Sequence, residues 1–302
     1  MNIYTTTAYA KINLFLRICG VLEGGYHQLY MLMQEIGLGD DIVVELDSSR
    51  DFDIDVETGC DWNKEDDLCF KAARAFYDAY EKCENHKPFP YTSIKTTKNV
   101  PSQAGLGGGS SDAATVLMVL QNHFEQPLSG DELKVIAKKL GADVPFFLVG
   151  GTAICEGIGE IIRPLPDLHG AHIILVKPQV GVPTGKCFKM SDETYKPFDV
   201  AAYSDTLETV FNDESLMPEQ RICKAAELMT NDLQIPAEVL VPEIKTINEA
   251  IKETGAIFNA MSGSGSCSFG IYDSEEARDK ALTVLKKDPR TSGCSVIPTV
   301  LI

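Results

Sequence analysis

Residues 100–115 read V-P-S-Q-A-G-L-G-G-G-S-S-D-A-A-T, and their types and spacing could hold phosphate. Gly105, Gly107, Gly108 and Gly109 run into Ser110, Ser111 and Asp112, and an alanine- and leucine-rich run continues to about residue 124. Glycines let backbone N–H groups turn inward and approach a ligand. The first N–H groups of a helix are unpaired and sit at the positive end of its dipole. Ser and Asp are N-cap residues, so the pattern predicts a helix starting close to Ser110. Residues 91–97, Y-T-S-I-K-T-T, are strand-like, which makes the unit strand, glycine loop, helix. Two other phosphate patterns do not fit. No Lys follows the glycines as in a Walker A loop, and Ser110 stands where a dinucleotide loop needs a glycine. A flexible linker is the bland alternative, but linkers seldom lead straight into a capped apolar helix.

Three further places carry side chains suited to chemistry. In A-K-I-N-L-F-L-R-I-C, Ile12, Leu14, Leu16 and Ile18 alternate with Lys11, Asn13, Phe15 and Arg17. That spacing predicts a strand with Lys11 and Asn13 side by side on one face, either a solvated face or a functional pair. In G-A-D-V-P-F-F, Asp143 follows a predicted helix C-terminus, where the dipole disfavours a carboxylate, and precedes apolar residues. It reads either as a turn former or as a carboxylate poised as a general base. Finally, S-G-S-G-S at 262–266 lies between two apolar strands, as an ordinary hairpin or as a place where backbone closely approaches a ligand.

The surrounding elements must position these groups. Strands are expected over 2–19, 42–46, 52–56, 172–177, 267–272 and 294–302, with a strand pair at 152–156 and 159–163. Residues 24–27, G-G-Y-H, follow a turn, residues 29–37 are apolar structure, and 57–63 and 191–198 read as loops. Helices are expected at 68–83, capped by the acidic run 65–67 and burying Leu68, Ala72, Ala75, Phe76 and Ala79, and at 129–140, where Ser129 and Glu132 make a capping box. Others are expected behind Thr184 carrying Phe188, near 205–212, 218–229 and 241–254, and at 275–286 behind Ser274.

At 302 residues the chain can bury a full core and form two domains, 1–164 and 165–302, divided at the linker P-L-P-D-L-H-G. A net charge of -17 argues against nucleic acid as a partner, while local lysines, glycine loops and Mg²⁺ still permit an anionic small substrate. No apolar run is long enough for a membrane span, and 1–11 carry no signal or transit character, so a cytoplasmic location is expected. The nine cysteines are scattered without a C-x-x-C pair, which fits reduced thiols rather than a zinc site or disulfide frame.

Together and in this order, the early strand, the loop 100–115 and the late loop 261–267 resemble the GHMP kinase superfamily of galactokinase, homoserine kinase, mevalonate kinase and phosphomevalonate kinase. The likeness spans essentially the whole chain. A-K-I-N-L-F-L, G-Y-H, G-L-G-G-G-S-S-D-A-A and G-A-D-V-P-F-F place it nearest the branch that uses ATP to phosphorylate the 2-hydroxyl of 4-diphosphocytidyl-2-C-methyl-D-erythritol in the non-mevalonate isoprenoid route. The resemblance implies an α+β fold with two GHMP domains, the first binding nucleotide, and an active site in the cleft between them. It implies ATP with Mg²⁺, and a monomer or weak homodimer is expected; no obvious acidic Mg²⁺ ligand stands in the sequence beyond the loop serines, so the metal is expected to bind mostly through the phosphates.

It also implies roles. Asp143 would take the proton from the substrate hydroxyl, and Lys11 would orient it and offset charge. Pro101, Ser102, Gln103, Ala104, Gly105, Leu106, Gly107, Gly108, Gly109, Ser110 and Ser111 would surround the ATP phosphates, with Asp67 and Lys98 at adenine. His27 would read the cytosine edge, with Tyr26 and Phe188 stacking on the ring. Asn13 and Thr184 would meet the methylerythritol diphosphate, and Gly263, Ser264 and Gly265 would bind on the substrate side. Gln103-Ala104 and Met33 depart from the family pattern, which implies a stiffer first turn of the loop and looser substrate packing. Another GHMP-type kinase, such as homoserine or mevalonate kinase, or a catalytically silent binding protein on the same scaffold, are the alternatives. G-Y-H argues against the first and the intact Lys11 and Asp143 against the second.

Overall fold

The computed structural model describes residues 1–59, 63–193 and 200–302, with only the backbone of 201 and 202. The expected loops at 57–63 and 191–198 therefore lie partly outside the described residues. The chain forms two compact units, each assembled from three stretches of sequence. The first is Met1–Ala10, Leu38–Val100 and Gly107–Val149; the second is Lys11–Gly37, Pro101–Leu106 and Gly150–Ile302.

Two long paired strands, β1 (Asn2–Val21) and β2 (His27–Asp47), run through both units. The sequence reads as two separate stretches at 29–37 and 42–46 because G-L-G-D-D looks like a break. The glycines instead admit close approach: a Cβ on Gly39 would lie 2.6 Å from Thr7 Cγ2 and 2.7 Å from the Ala8 carbonyl oxygen. In the first unit, β2 pairs antiparallel with β4 (Tyr91–Thr97), and β3 (Ile54–Glu57) pairs parallel with β4, Ile54 opposite Thr92.

Helix α1 (Leu68–Tyr80) starts on Asp67, whose carboxylate accepts from the Cys69 N–H at 2.7 Å, as the acidic cap predicts. Its buried face is Cys69, Ala72, Ala73, Phe76, Tyr77 and Tyr80, turned by one position from the face expected, because the tyrosines are drawn inward with Phe76. Tyr77 hydrogen-bonds Thr92 Oγ1 at 2.6 Å, and the Tyr80 ring lies 4.5 Å from that of Phe124. Helix α2 (Gly108–His123), α3 (Gly130–Leu140) and the short α4 (Val144–Phe147) complete the unit. The capping box of Ser129 and Glu132 is present at α3.

In the second unit, β5 (Thr152–Gly157) pairs antiparallel with the first half of β2 and with β6 (Ile161–Pro164). A separate antiparallel sheet contains β7 (His172–Lys177). Then come α5 (Thr184–Ser191), α6 (Val200–Phe211), α7 (Pro218–Ala225), α8 (Gln234–Leu240) and α9 (Glu243–Glu253). Strands β8 (Phe258–Met261) and β9 (Ser268–Tyr272), helix α10 (Glu275–Leu285) and β10 (Ser295–Val300) finish it, and the sheet runs β10-β7-β9-β8. Ile174, Val176 and Tyr272 of this sheet pack against Ile247, Ala250 and Ile251 of α9 and Ala281 and Leu285 of α10. Ser274 caps α10 through the Ala277 N–H, as expected. Helix α8 is not among the helices expected from sequence; Pro236 sits in its first turn, where the missing N–H costs nothing.

Candidate active site

The glycine loop does open a helix, but the helix starts two residues before Ser110. Gly107 is the N-cap, at φ 72°, with no side chain capping the first turn. Ser110 and Ser111 lie inside the helix, and Ser111 Oγ donates to the Tyr9 carbonyl at 2.6 Å. A start made of glycines leaves the first-turn N–H groups without a side-chain oxygen, which suits them to an anion.

Behind this helix start, in the same unit, sits an ion cluster. Lys98 Nζ donates to Asp40 and, at 2.6 Å, to Asp112 Oδ2. Asp40 also accepts from the Asn99 and Val100 N–H groups at 2.6 and 2.7 Å. Both carboxylates are buried. Burial pushes the Asp112 carboxyl up to about 7, Lys98 pulling against it and Asp40 adding to it. Burial lowers Lys98, but Asp112 and Asp40 outweigh that and leave it above its ordinary value. Asp67 is buried as the cap of α1 and also accepts from Thr58 Oγ1 at 3.2 Å.

Asp143 is not at the C-terminus of the preceding helix. Helix α3 ends at Leu140 with Gly141 as its cap, and Asp143 is the half-buried residue immediately ahead of α4, without a side-chain capping bond. The V-P-F-F run, with Pro145 in the first turn, starts a new helix there, so the unfavourable dipole of α3 does not apply.

In the second unit Lys11 and Asn13 are adjacent, as the strand period predicts, and neither is solvated: they are 3% and 1% exposed. Lys11 Nζ donates to Asn13 Oδ1 at 2.6 Å. The same stretch of β1 is bound to both glycine-rich segments of this unit. The Lys11 N–H donates to the Leu106 carbonyl at 2.9 Å, the Asn13 N–H to Ser262 Oγ at 3.2 Å, and Ser262 Oγ to the Gly105 carbonyl at 2.8 Å. The Ser266 and Cys267 N–H groups donate to the carbonyls of Gln103 and Ala104 at 3.3 and 3.2 Å. Gly105, at φ 72°, lies so close to Ser262 that a Cβ would overlap its carbonyl oxygen. Gly263 and Gly265 are also left-handed, at φ 55° and 85°. Gln103 takes the left-handed conformation at φ 49°, packed where a Cβ on Gly181 would collide with its side chain.

Thr184 Oγ1 and Ser264 Oγ lie 2.9 Å apart, which joins the start of α5 to the late loop. His27 Nε2 pairs with Asp192 Oδ1 at 2.6 Å, and its ring lies 4.9 Å from that of Phe188 at 31°. Tyr26 is exposed beside them. This unit therefore brings together Lys11, Asn13, residues 101–106 and the late loop, Thr184 with Ser264, and His27 with Phe188. The other unit carries Asp67, Lys98, residues 107–111 and Asp143.

The chain matches the family described as GHMP kinases N terminal domain over residues 67–151 and that described as GHMP kinases C terminal over 215–290. It is 37% identical over 284 residues to the 4-diphosphocytidyl-2-C-methyl-D-erythritol kinase of Desulfitobacterium hafniense, covering 93% of this chain and 91% of that one. The chain belongs to the GHMP kinase family, among the 4-diphosphocytidyl-2-C-methyl-D-erythritol kinases. A solved 4-(cytidine 5'-diphospho)-2C-methyl-D-erythritol kinase superposes with a TM-score of 0.76 at 28% identity, covering 99% of each chain. The homoserine kinase of Cytophaga hutchinsonii shares the fold, at TM-score 0.73, 18% identity and coverage of 100% of this chain and 95% of that one.

Several residues of this GHMP kinase support the site without having been singled out in sequence. Asp40 and Asp112 hold Lys98. Asn231, just ahead of α8, donates from Nδ2 to the Met261 and Gly263 carbonyls at 2.7 and 2.8 Å, and its Oδ1 accepts from the Leu233 N–H at 2.9 Å. Asp192 pairs with His27. Asp112 stands next to the quoted serines, and that position is the one signal available in the sequence. Asn231 and Asp40 find their partners across long stretches of chain, which local patterns do not report. Among the described residues, no group of three or more His, Cys, Asp or Glu side chains could hold a metal ion, and no helix is long and apolar enough to cross a membrane.

Proposed function

We propose that this chain transfers the terminal phosphoryl group of ATP to the 2-hydroxyl of 4-diphosphocytidyl-2-C-methyl-D-erythritol, in isoprenoid precursor synthesis. The observation that carries the reading is the uncapped, glycine-built N-terminus of α2, in a chain 37% identical to a kinase with that name. Its amides and those of 102–107 hold the ATP phosphates, with Pro101 beside them, and Lys98 and Asp67 line the adenine side. Mg²⁺ would be held mostly by the ATP phosphates and would supply charge neutralisation there. Asp143 accepts the proton of the attacking hydroxyl, a step worth about 10²–10⁴-fold. Lys11, held by Asn13, orients that hydroxyl and offsets charge as the bond forms; positioning and charge stabilisation supply most of the rest.

His27 and Phe188, already in ring contact, receive the cytosine with Tyr26, while Asn13, Thr184 and residues 263–265 receive the diphosphate and polyol. The proposal divides the chain near 165 into a nucleotide-binding and a C-terminal domain, a point that lies between the two family regions. It also carries a cytoplasmic enzyme, monomeric or weakly dimeric, without a nucleic-acid partner, in keeping with a net charge of -17.

The test is ADP formation with Mg²⁺ATP across four acceptors: the CDP-linked methylerythritol, unconjugated methylerythritol phosphate, homoserine and mevalonate. Turnover with the CDP compound alone is expected. Turnover with another acceptor keeps the kinase and removes the cytosine pocket, and no turnover with any, while ATP still binds, leaves a binding protein.

A further inference from the structure

Lys177, at the end of β7, is a buried cation that the proposed chemistry does not use. It is 6% exposed. Its ammonium donates to the Pro178 carbonyl at 2.5 Å and to the Val180 carbonyl at 3.3 Å. Among the described residues no carboxylate pairs with it. The titratable groups that face it are the thiols of Cys267 and Cys294. Burial holds Cys267 up at about 12 and raises Cys294 as well, so both stay neutral and supply no countercharge. Burial also lowers Lys177 from its ordinary value. A cation left unneutralised inside a chain of net charge -17 needs a reason.

The geometry supplies one. The Val180 carbonyl that Lys177 holds is the same oxygen to which Ser266 Oγ donates, at 2.6 Å. Ser266 belongs to the late loop, and its N–H donates to the Gln103 carbonyl. Gly181, the next residue after Val180, packs tightly on the Gln103 side chain. Three residues beyond it, Thr184 meets Ser264 across the top of the same loop. The segment 178–184 is thus a strap along the late loop, touching it at both ends, and Lys177 is tied to the end nearer the sheet.

We propose that Lys177 is a positioning residue for phosphoryl-acceptor binding. Its ammonium gathers the carbonyls of the strap, fixes the oxygen on which Ser266 rests, and leaves a fixed positive charge behind a loop that meets the acceptor's diphosphate. This rests on the acceptor reading above for its ligand, and on the strap contacts alone for its mechanics. The two functions separate by substitution. Lys177→Gln keeps N–H donors for the carbonyls and loses the charge, whereas Lys177→Met loses both.

The test measures KM for the CDP-linked acceptor, KM for ATP and kcat in the full chain, with amide hydrogen exchange of 262–267 in the absence of ligand. Lys177→Met is expected to raise the acceptor KM about tenfold or more while kcat and the ATP KM stay within about twofold, with Lys177→Gln between it and the parent. Exchange of 262–267 is expected to quicken in Lys177→Met and to change less in Lys177→Gln. If Lys177→Met lowers the unfolding temperature but leaves the acceptor KM and that exchange unchanged, Lys177 is only a core residue and the inference is overturned. If the parent enzyme does not turn over the acceptor, the functional reading fails, and the exchange of 262–267 alone decides for or against Lys177. Should Lys177→Met not fold, Lys177→Gln carries the same comparison.

Discussion

The two glycine-rich segments use glycine in opposite ways. At the start of α2, Gly107 turns the chain left-handed and the helix begins with no side chain over its first turn, so backbone donors are kept available. In the late loop several donors and carbonyls are already taken by the protein itself. Gly265 N–H donates to the Ser262 carbonyl, Ser262 N–H to the Cys267 carbonyl, and Asn231 reaches the carbonyls of Met261 and Gly263. Glycine is needed there because another backbone passes at contact distance, as Gly105 does at Ser262. The supports differ as well. Behind the helix start lies a charged cluster, Asp40–Lys98–Asp112, with two carboxylates, while the late loop is held by the Asn231 amide and by carbonyl contacts, one of them shared with Lys177. A motif rich in glycine therefore marks close approach, and only the hydrogen-bond inventory says whether a ligand or the protein itself is what approaches.

A variant that touches neither segment sets the scale. Asp143→Asn should lower kcat by about 10²–10⁴-fold with the ATP KM and unfolding temperature unchanged, because the base is lost and both segments stay intact. A loss of only a few-fold in a steady-state assay would assign Asp143 to charge stabilisation. Next in size is Gly105→Ala, which puts a Cβ into the Ser262 carbonyl at a left-handed position. It should destabilise the fold by about 3–5 kcal/mol in urea titration, combining overpacking with backbone strain. Gly109→Ala should do the reverse: its Cβ meets nothing nearer than Leu68 Cδ1 at 3.6 Å. Stability should hold or rise by under about 1 kcal/mol, while the ATP KM climbs about tenfold if phosphate needs that backbone bare. An unchanged ATP KM would put the two segments on the same footing.

The smallest effect is a pH dependence confined to the helix-start cluster. Asp112 is raised from a free aspartate's 3.8 to about 7 in the folded chain. Its protonated form is favoured by folding, so its contribution is fully present below about pH 3.8 and is lost as pH rises through about 7. Asp112→Asn removes that slope. Urea midpoints measured from pH 5 to pH 8 should move in favour of the variant relative to the parent, and parallel curves would reject the raised carboxyl.

Most of the fold is legible where local chemistry decides it. Asp67, Ser129 with Glu132, and Ser274 cap helices as their types predict, and 91–97 and 172–177 are strands with the bounds expected. Prediction fails where a distant group overrules local preference. Ser110 is a better cap than Gly107, yet the helix starts on glycine, since Ser111 is drawn to the Tyr9 carbonyl. Asp143 changes helices because three residues suffice to end α3 and begin α4. At the candidate site, the pairing of Lys11 with Asn13 follows from strand periodicity alone. Lys98 holding Asp40 and Asp112 does not, because ion pairs between separate elements leave no periodic trace.

The first half of β2 has a delayed partner. The Gln34 side chain donates to the Ile302 carbonyl at 2.7 Å, the Ile302 N–H donates to the Glu35 carbonyl at 3.1 Å, and Ile36 bridges to Leu301. On a ribosome, at about 5–20 residues per second, residues 34–36 emerge roughly ten to fifty seconds before the segment that completes them. Met31, Leu32 and Met33 meet β5 once residues 152–157 have emerged, whereas Ile36, buried in the finished protein, waits the whole interval for its bridge to Leu301. The edge at 34–36 is therefore the last part of β2 to be completed during synthesis.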